Sequence, residues 1–358
     1  MLTTEDFRDF VSGRQRGLWA SCLRGMMRLT SWLYGLGVAI RNWQYSTGRK
    51  RVHSAGVPVI SVGNLTLGGT GKTPMVAWIA KWLRAREIRV TLISRGYGAE
   101  RGAQNDEGKE LEQRLPDVPH IQNPDRVEAA QVAVEELAAQ VLLLDDAFQH
   151  RRIGRDLDIV LIDATEPFGY GYLFPRGMLR EPLKSLARAD VLVLTRGDMV
   201  DAEDREQIWE TLRKHNPKAV AVEMHHRPAI LRAADGQTAP LAELVGKQVL
   251  AFCGIGNPEG FRHSIESSGI EIADFRAFSD HHNYQQADIE QLTQWASQHP
   301  AATALVCTHK DLVKVGVNQL EETPLWALEI EATLTTGQAD LEAKLAALAE
   351  KIPPDEDC

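Results

Sequence analysis

Short runs of valine, isoleucine and leucine recur along the first two thirds of the chain. They are VPVISVG (57–63), RVTLISRGYG (89–98), QVLLLDDAFQH (140–150), LDIVLIDA (157–164) and ADVLVLTRGD (189–198). None is long enough for a buried helix, and none alternates apolar with polar. Such runs are expected of parallel strands covered on both faces. Helical spacing falls between them. KTPMVAWIAKWLRARE (72–87) repeats apolar residues at Val76, Ile79, Ala80 and Leu83; DRVEAAQVAVEELAA (125–139) opens on the N-cap candidate Asp125; AEDREQIWETLRKH (202–215) is a third helix. Residues 99–117 are polar and read as a loop with a short helix at ELEQRL. AVAVEMHHRPAILRAADGQTAP (219–240) breaks the rhythm with strand-like runs around an Asp-Gly turn at 235–236. A second set follows: strand 248–256, helix 257–268, strand 270–278, helix 285–298, strand 303–309, a strand near 325–331 and a helix over 339–351. Alternation of this kind predicts an α/β fold, a parallel sheet with helices on both faces, plus a smaller α/β C-terminal domain. The boundaries expected are an N-terminal segment 1–50, a larger domain 51–225, a hairpin-like hinge 226–245, the smaller domain 246–352 and a tail 353–358.

Composition narrows the class. The chain has 358 residues, enough for two domains, and 44% hydrophobic with 25% charged residues is ordinary for a globular protein. A net charge of -9 disfavours nonspecific nucleic-acid binding. Cys22, Cys253, Cys307 and Cys358 are scattered without a CxxC pair, which argues against a zinc site or a disulfide framework. The charge is uneven: no acidic residue lies between Asp9 and Glu87, while Arg14, Arg16, Arg24, Arg28, Arg41, Arg49, Lys50 and Arg51 interleave with Trp19, Trp32, Tyr34, Trp43 and Tyr45. The longest apolar stretch there, LTSWLYGLGVAI (29–40), is too short to span a bilayer, which needs about 20 residues. Glu5, Asp6 and Asp9 ahead of it argue against a secretory signal. Basic residues among tryptophans predict a helix in a membrane interface; the competing expectation is a cap helix packed on the domain.

NLTLGGTGKTP (64–74) lies between the strand at 57–63 and the helix from 72. Strand, glycine loop, Lys-Thr and helix form the phosphate-loop arrangement, in which loop N–H groups and the helix N-terminus surround an anion. Thr66 stands where the strict pattern has glycine, with Gly68 and Gly69 beside it. Residues Thr66, Leu67, Gly68, Gly69, Thr70, Gly71, Lys72 and Thr73 are therefore the nucleotide-binding candidates. Lys72 would reach the β/γ phosphates and Thr73 a Mg²⁺ ion. Asp145 and Asp146 end an apolar strand, where a metal-side carboxylate is needed. Thr195, Arg196 and Asp198 end another strand; they suit a base-reading loop or a surface turn equally well.

Taken in order, VPVISVGNLTLGGTGKTP, LISRGYG, LLLDDAFQHRR, RDLDIVLID, GYLFPRGMLREPL, VLTRGD and FSDHHNY resemble the tetraacyldisaccharide 4'-kinases, the lipid A 4'-kinases, over roughly residues 20–350. SWLYGLGVAIRNWQYSTGR (31–49) looks like that family's membrane-associating segment. The resemblance implies transfer of the γ-phosphoryl of ATP to the 4'-hydroxyl of an acylated glucosamine disaccharide 1-phosphate. It also implies Mg²⁺ and a peripheral place on the cytoplasmic face of the bacterial inner membrane, with no obligate protein partner. Asp145, Asp146 and Glu181 would surround the metal with Thr73; Arg180, Arg126, His150 and Glu107 would face substrate or phosphate. The family's base sits in a Gly-Asp-Glu-Pro motif. Here Asn105 replaces the glycine and Gly108 the proline, leaving Asp106 as base beside Glu107, with Arg126 at a similar spacing beyond. Its histidine partner on the second domain would be His281, next to Asp280. CTHKDLVK (307–314) resembles a Thr-Glu-Lys-Asp stretch with His309 for glutamate; Lys310 suits either substrate phosphate or solvent. Two other readings compete: a membrane-associated regulatory P-loop NTPase, and a kinase of another sugar or small-molecule acceptor.

Overall fold

The computed structural model describes residues 4–96, 106–280 and 282–352. Contacts divide them into two compact units: Glu5–His225 joined by the C-terminal segment from Leu334, and His226–Thr333.

The first unit opens with α1 (Thr4–Ser12) and α2 (Leu18–Ser46), where the sequence predicts one N-terminal helix; Gly13 and Gly17, both at positive φ, separate them. Then come β1 (Val59–Asn64), α3 (Lys72–Arg84), β2 (Val90–Ser94), α4 (Asp106–Arg114), β3 (His120–Gln122), α5 (Arg126–Glu135), β4 (Val141–Asp145), β5 (Leu157–Asp163), β6 (Val191–Thr195), α6 (Ala202–His215) and β7 (Val220–Arg232), whose first part lies in this unit. The strands pair in parallel in the order β3-β2-β4-β1-β5-β6-β7. Every residue of β1, β2, β4, β5 and β6 is buried, which is why their sequences show no alternation. α3 covers the sheet with Met75, Val76, Ile79, Ala80 and Leu83, all fully buried. Each of the larger ones contributes about 1.5–3 kcal/mol by leaving water, an upper bound. The chain passes from β1 beyond β4 to β2, and later from β4 back across β1 to β5, so the direction of the connections reverses at β1, and ligands of open α/β sheets bind beyond the strand ends at such a switch. Register puts Val62 against Asp145, Asn64 against Leu161, and Asp163 against Thr195, so these strand ends form one rim.

The second unit continues with the rest of β7, then β8 (Thr238–Pro240), β9 (Gln248–Cys253), α7 (Pro258–Glu266), β10 (Glu271–Ala277), α8 (Gln286–Ser297), β11 (Ala304–Thr308), α9 (His309–Val315), β12 (Gln319–Leu320) and β13 (Thr323–Thr336). β7 and β8 form the expected hairpin, with Ile230 opposite Pro240 and Gly236 at φ 88°. β10, β9, β11 and β13 pair in parallel. Successive residues of β9 feed two cores: Val249, Ala251 and Cys253 pack with Phe261 and Ile265 of α7, whereas Leu250 and Phe252 pack with Leu292 and Trp295 of α8.

The C-terminal helix α10 (Gln338–Ala349) does not belong to the smaller unit, contrary to the boundary at 352 expected from sequence. β13 outlasts that unit: Thr335 Oγ1 donates to Glu223 O (3.4 Å), and a Cβ on Gly337 would stand 2.1 Å from Ala221 O. Only glycine can turn the chain there, at φ 71°, and α10 then buries Leu341, Leu345 and Leu348. Leu345→Ala should therefore destabilise the phosphate-loop unit by about 2–5 kcal/mol, read as a lowered urea midpoint followed through the tryptophans of that unit. An unchanged midpoint would detach α10 from that core.

Candidate active site

The loop from Asn64 to Gly71 is held by its carbonyls. Thr195 Oγ1 donates to Thr70 O (3.1 Å), Arg196 Nη1 to Gly69 O (3.0 Å), Asn64 Nδ2 to Gly68 O (3.4 Å) and Gln149 Nε2 to Asn64 O (2.8 Å). Leu67 N–H donates to Met178 O (2.8 Å) and Arg180 N–H to Leu65 O (2.8 Å). Among the described residues, no acceptor takes up the N–H groups of Gly69, Gly71, Lys72 or Thr73. With carbonyls engaged and these four amides open, the loop offers a set of donors at the positive end of α3. Gly71 caps that helix in the left-handed region (φ 82°), a geometry costly for a side chain. Thr195 and Arg196 thus do not form a simple surface turn; they brace the loop. Arg196 also pairs with Asp163.

Around the loop stand five charged side chains. Lys72 Nζ lies 3.6 Å from Asp146 Oδ1, and Arg180 Nη1 donates to both Asp146 oxygens at 2.9 Å. Arg126, almost fully buried, donates to Asp145 O (3.2 Å), while Asp145 Oδ1 accepts from Asp146 N–H (2.9 Å). Burial works to raise the Asp146 pKa, but Lys72, Arg180 and Arg126 outweigh it and hold it at about 2. Asp146 is therefore a carboxylate at any physiological pH. His150, expected at phosphate, is half-buried and its Nε2 has no partner among the described residues. Burial first, then Arg126, Arg152 and Arg155, depress its pKa to about 4, so it is neutral.

Glu181 departs from expectation. Its carboxylate is fully buried and accepts from Arg41 (2.5 Å), Asn42 (3.1 Å) and Arg188 (2.9 Å). Burial would raise its pKa, yet Arg188, Ser185 and Arg41 bring it below the usual value. Both oxygens are engaged by α2 and by Arg188, so it serves as a buried anchor for α2 rather than as a metal ligand. Its neighbour Arg180 meets Asp146 rather than an open cleft. Asp106 begins α4; its side chain, that of Glu107, and all of His281 lie outside the described residues. Among the described residues, no three of His, Cys, Asp and Glu gather as a metal cage.

The model of the tetraacyldisaccharide-1-P 4'-kinase family matches residues 23–350. The chain belongs to this family. A tetraacyldisaccharide 4'-kinase of Halothermothrix orenii is 36% identical over 342 residues, covering 86% of this chain and 88% of its own. One of Geobacter sulfurreducens is 36% identical over 351 residues, with 92% and 95% covered. The crystal structure of LpxK from Aquifex aeolicus in complex with ATP superposes with a TM-score of 0.70 at 29% identity, covering 91% of this chain and 99% of that one. Among the features of this 4'-kinase family member that sequence did not show are the braces Thr195 and Arg196 and the anchor at Glu181.

His150 gives a signed pH dependence. Its pKa is about 4 folded and near 6.5 unfolded, so the unfolded chain binds more protons between those values. Its contribution is complete above pH 6.5 and disappears as pH falls to 4. Denaturant titrations from pH 7 to 4 should show falling stability, with His150→Gln removing up to one proton's slope, about 1.4 kcal/mol per pH unit. Identical slopes for the two proteins would place His150 in water. Asp146 acts in a separate window, losing its contribution as pH drops through about 2.

Proposed function

We infer that this protein transfers the γ-phosphoryl group of ATP to the 4'-hydroxyl of a tetraacyldisaccharide 1-phosphate, making a lipid A precursor. The observation that carries the reading is the family match across residues 23–350, coincident with a loop whose amides face outward beside Lys72. Phosphoryl transfer has a loose transition state, so positioning and charge neutralisation dominate. Lys72 and the loop Thr66 to Thr73, through the open amides of Gly69, Gly71, Lys72 and Thr73, hold the phosphates; Arg126 and Arg180 add positive charge beside them. Thr73, Asp145 and Asp146 are the residues that would hold Mg²⁺, which when bound neutralises phosphate charge. Glu181 is not carried forward as a ligand. Asp106 and His281 carry proton transfer from the acceptor hydroxyl, a role worth roughly 10²–10⁴-fold in general. Neutral His150 and Glu107 lie on the acceptor side in this reading.

The acceptor's lipid nature has its own support. α2 presents Leu18, Trp19, Leu29, Trp32, Leu33 and Leu36 to solvent, Trp32 at 83% exposure. No helix among the described residues is long and apolar enough to cross a membrane. The other face of α2 is docked: Ser31 donates to Leu173 O and accepts from Arg176 N–H, both at 2.8 Å, and Tyr34 OH donates to Arg180 O (2.9 Å). A cap helix would bury those tryptophans. An interfacial helix leaves them for the bilayer, and the arginines suit anionic lipid on a cytoplasmic leaflet.

Incubation with labelled ATP, Mg²⁺ and acylated disaccharide phosphate should move label into the organic phase, and Lys72→Ala should cut that rate by roughly 10²-fold or more. Label found only as free phosphate would favour a regulatory NTPase. Replacing Trp32, Leu33 and Leu36 by serine should lower partitioning onto anionic vesicles by about 10-fold or more while leaving ATP affinity unchanged. Equal partitioning of the two proteins would refute the interfacial role.

A further inference from the structure

The phosphate loop has one weakly held point. Of the side-chain bonds that brace its carbonyls, the one to Gly68 O is the longest, 3.4 Å from Asn64 Nδ2 against 2.8 to 3.1 Å for the others. Gly68 stands at φ 110° beside a second glycine, and glycine loses more backbone freedom on ordering than any other residue. An ordered loop needs a further contact at this position, and α1 supplies it. A Cβ on Gly68 would stand 3.3 Å from Arg8 Nη2 and 3.8 Å from Met178 Cε, so the guanidinium lies on bare backbone. Arg8, Gly68, Gly69, Thr70, Asp163 and Glu166 line one recess there.

α1 is seated firmly enough to hold that arginine. Val11 is buried and its carbonyl accepts from Arg176 Nη1 (2.7 Å); the Phe7 ring lies 6.2 Å from the Phe174 ring, and Arg24 of α2 stands 5.6 Å over Phe10. The charge is fixed from the other side. Arg8 Nη2 lies 3.5 Å from Glu166 Oε2, and Glu166 Oε1 accepts from Tyr170 OH (2.5 Å). Glu166 N–H donates to Asp163 O (3.2 Å), and Asp163 pairs with Arg196, which donates to Gly69 O. Contacts thus close a ring around the two glycines, from Arg8 through Glu166, Asp163 and Arg196 back to the loop. All of it lies in the phosphate-loop unit, and α1 precedes residue 23, where the family match begins.

We propose that α1 is a strap on the phosphate loop and that Arg8 is a positioning residue for ATP binding, holding Gly68 in place before the nucleotide arrives. The proposal rests on reading the loop as the site of the ATP phosphates. Fixing a binding loop in its bound form improves affinity chiefly by removing the ordering cost at the moment of binding. Glu166 answers the charge of Arg8, so the arginine acts through geometry rather than as a long-range pull on phosphate. Once phosphate is seated, the amides of the loop are held by it, and the strap has little left to do for the transfer step.

The test compares Arg8→Ala, Glu166→Ala and the double variant with the unchanged protein. Measured are Kd for Mg-ATP without lipid, kcat for lipid phosphorylation at saturating ATP, the melting temperature, and amide hydrogen exchange of segment 64–71 in the nucleotide-free protein. Arg8→Ala should raise Kd about 10-fold with kcat within roughly twofold. It should speed exchange in 64–71 while β4 and β5 stay protected. Glu166→Ala should shift both readouts the same way, and the double variant should be no worse than Arg8→Ala alone. Unchanged Kd in folded Arg8→Ala overturns the proposal; so does a tighter Kd, which would make α1 an inhibitory cover. A raised Kd with unchanged loop exchange also overturns it, because Arg8 would then meet the nucleotide itself. Glu166→Ala decides if Arg8→Ala does not fold. Unchanged Mg-ATP affinity in Lys72→Ala would bring down the reading of the loop together with the proposal. Weakened affinity there with unaffected Arg8→Ala brings down the proposal only.

Discussion

The direction in which one loop's peptide groups point governs the phosphate-loop unit. A glycine-rich turn can present carbonyls or amides, and the two choices differ by the sign of the potential at the mouth of α3. Here neighbouring strand ends decide it. Thr195 and Arg196 at the end of β6 and Gln149 after β4 take up carbonyls, and the 178–180 segment adds two backbone bonds. The amides of Gly69, Gly71, Lys72 and Thr73 are left as donors in a rigid cup. Preorganisation of this kind is worth more than extra charge, because no dipole must reorient when phosphate arrives. The parallel order of β4, β1, β5 and β6 is what brings the braces within reach.

Glu181 connects that cup to α2. Residues 180 and 181 point opposite ways along one stretch of chain. Arg180 grips Asp146 beside Lys72, while Glu181 is gripped by Arg41 and Asn42 of α2 and by Arg188. Removing one partner of so buried a cluster would leave a charge uncompensated, a change usually costing about 3–5 kcal/mol. The helix with exposed tryptophans is therefore fastened to Glu181 and to the backbone of Arg180, the arginine that grips Asp146. Its docked face is polar and specific, and its free face is apolar and nonspecific, as a lipid surface would require.

Local pattern carried the strands and most helices because it is where burial writes itself into sequence. Two-sided burial of β1, β4, β5 and β6 leaves unbroken Val/Ile/Leu runs, and Val76, Ile79, Ala80 and Leu83 declare the buried face of α3. The phosphate loop was equally legible, since its chemistry is contiguous. Partners far apart in the chain were not. Glu181 meets Arg41 across 140 positions and Thr195 meets Thr70 across 125, so an acidic residue near a metal motif and a threonine at a strand end gave no sign of either role. α9 has seven residues, too few for periodicity to show. α10 looked like the end of the smaller domain because sequence adjacency is the only cue to membership. Gly337, pressed against Ala221 O, is what carries the chain back.

Two non-glycine residues in the left-handed region, Asp146 (φ 47°) and Arg196 (φ 56°), follow directly after β4 and β6. Each such conformation costs of order 1–3 kcal/mol and persists only where surrounding contacts over-determine it. For Asp146 those contacts are the bidentate Arg180, Lys72 and the bond from its own N–H to Asp145; for Arg196 they are Gly69 O and Asp163. In both cases the backbone turns so that a charged side chain reaches the loop instead of continuing along the strand. The strain is local and the contacts are shared with Lys72 and the loop carbonyls. Substituting glycine at either position would relieve the backbone and lose the side chain. The two effects oppose each other in stability, whereas only the second bears on the charge around the phosphates. Strain here measures how strongly the rest of the rim insists on where those two charges stand.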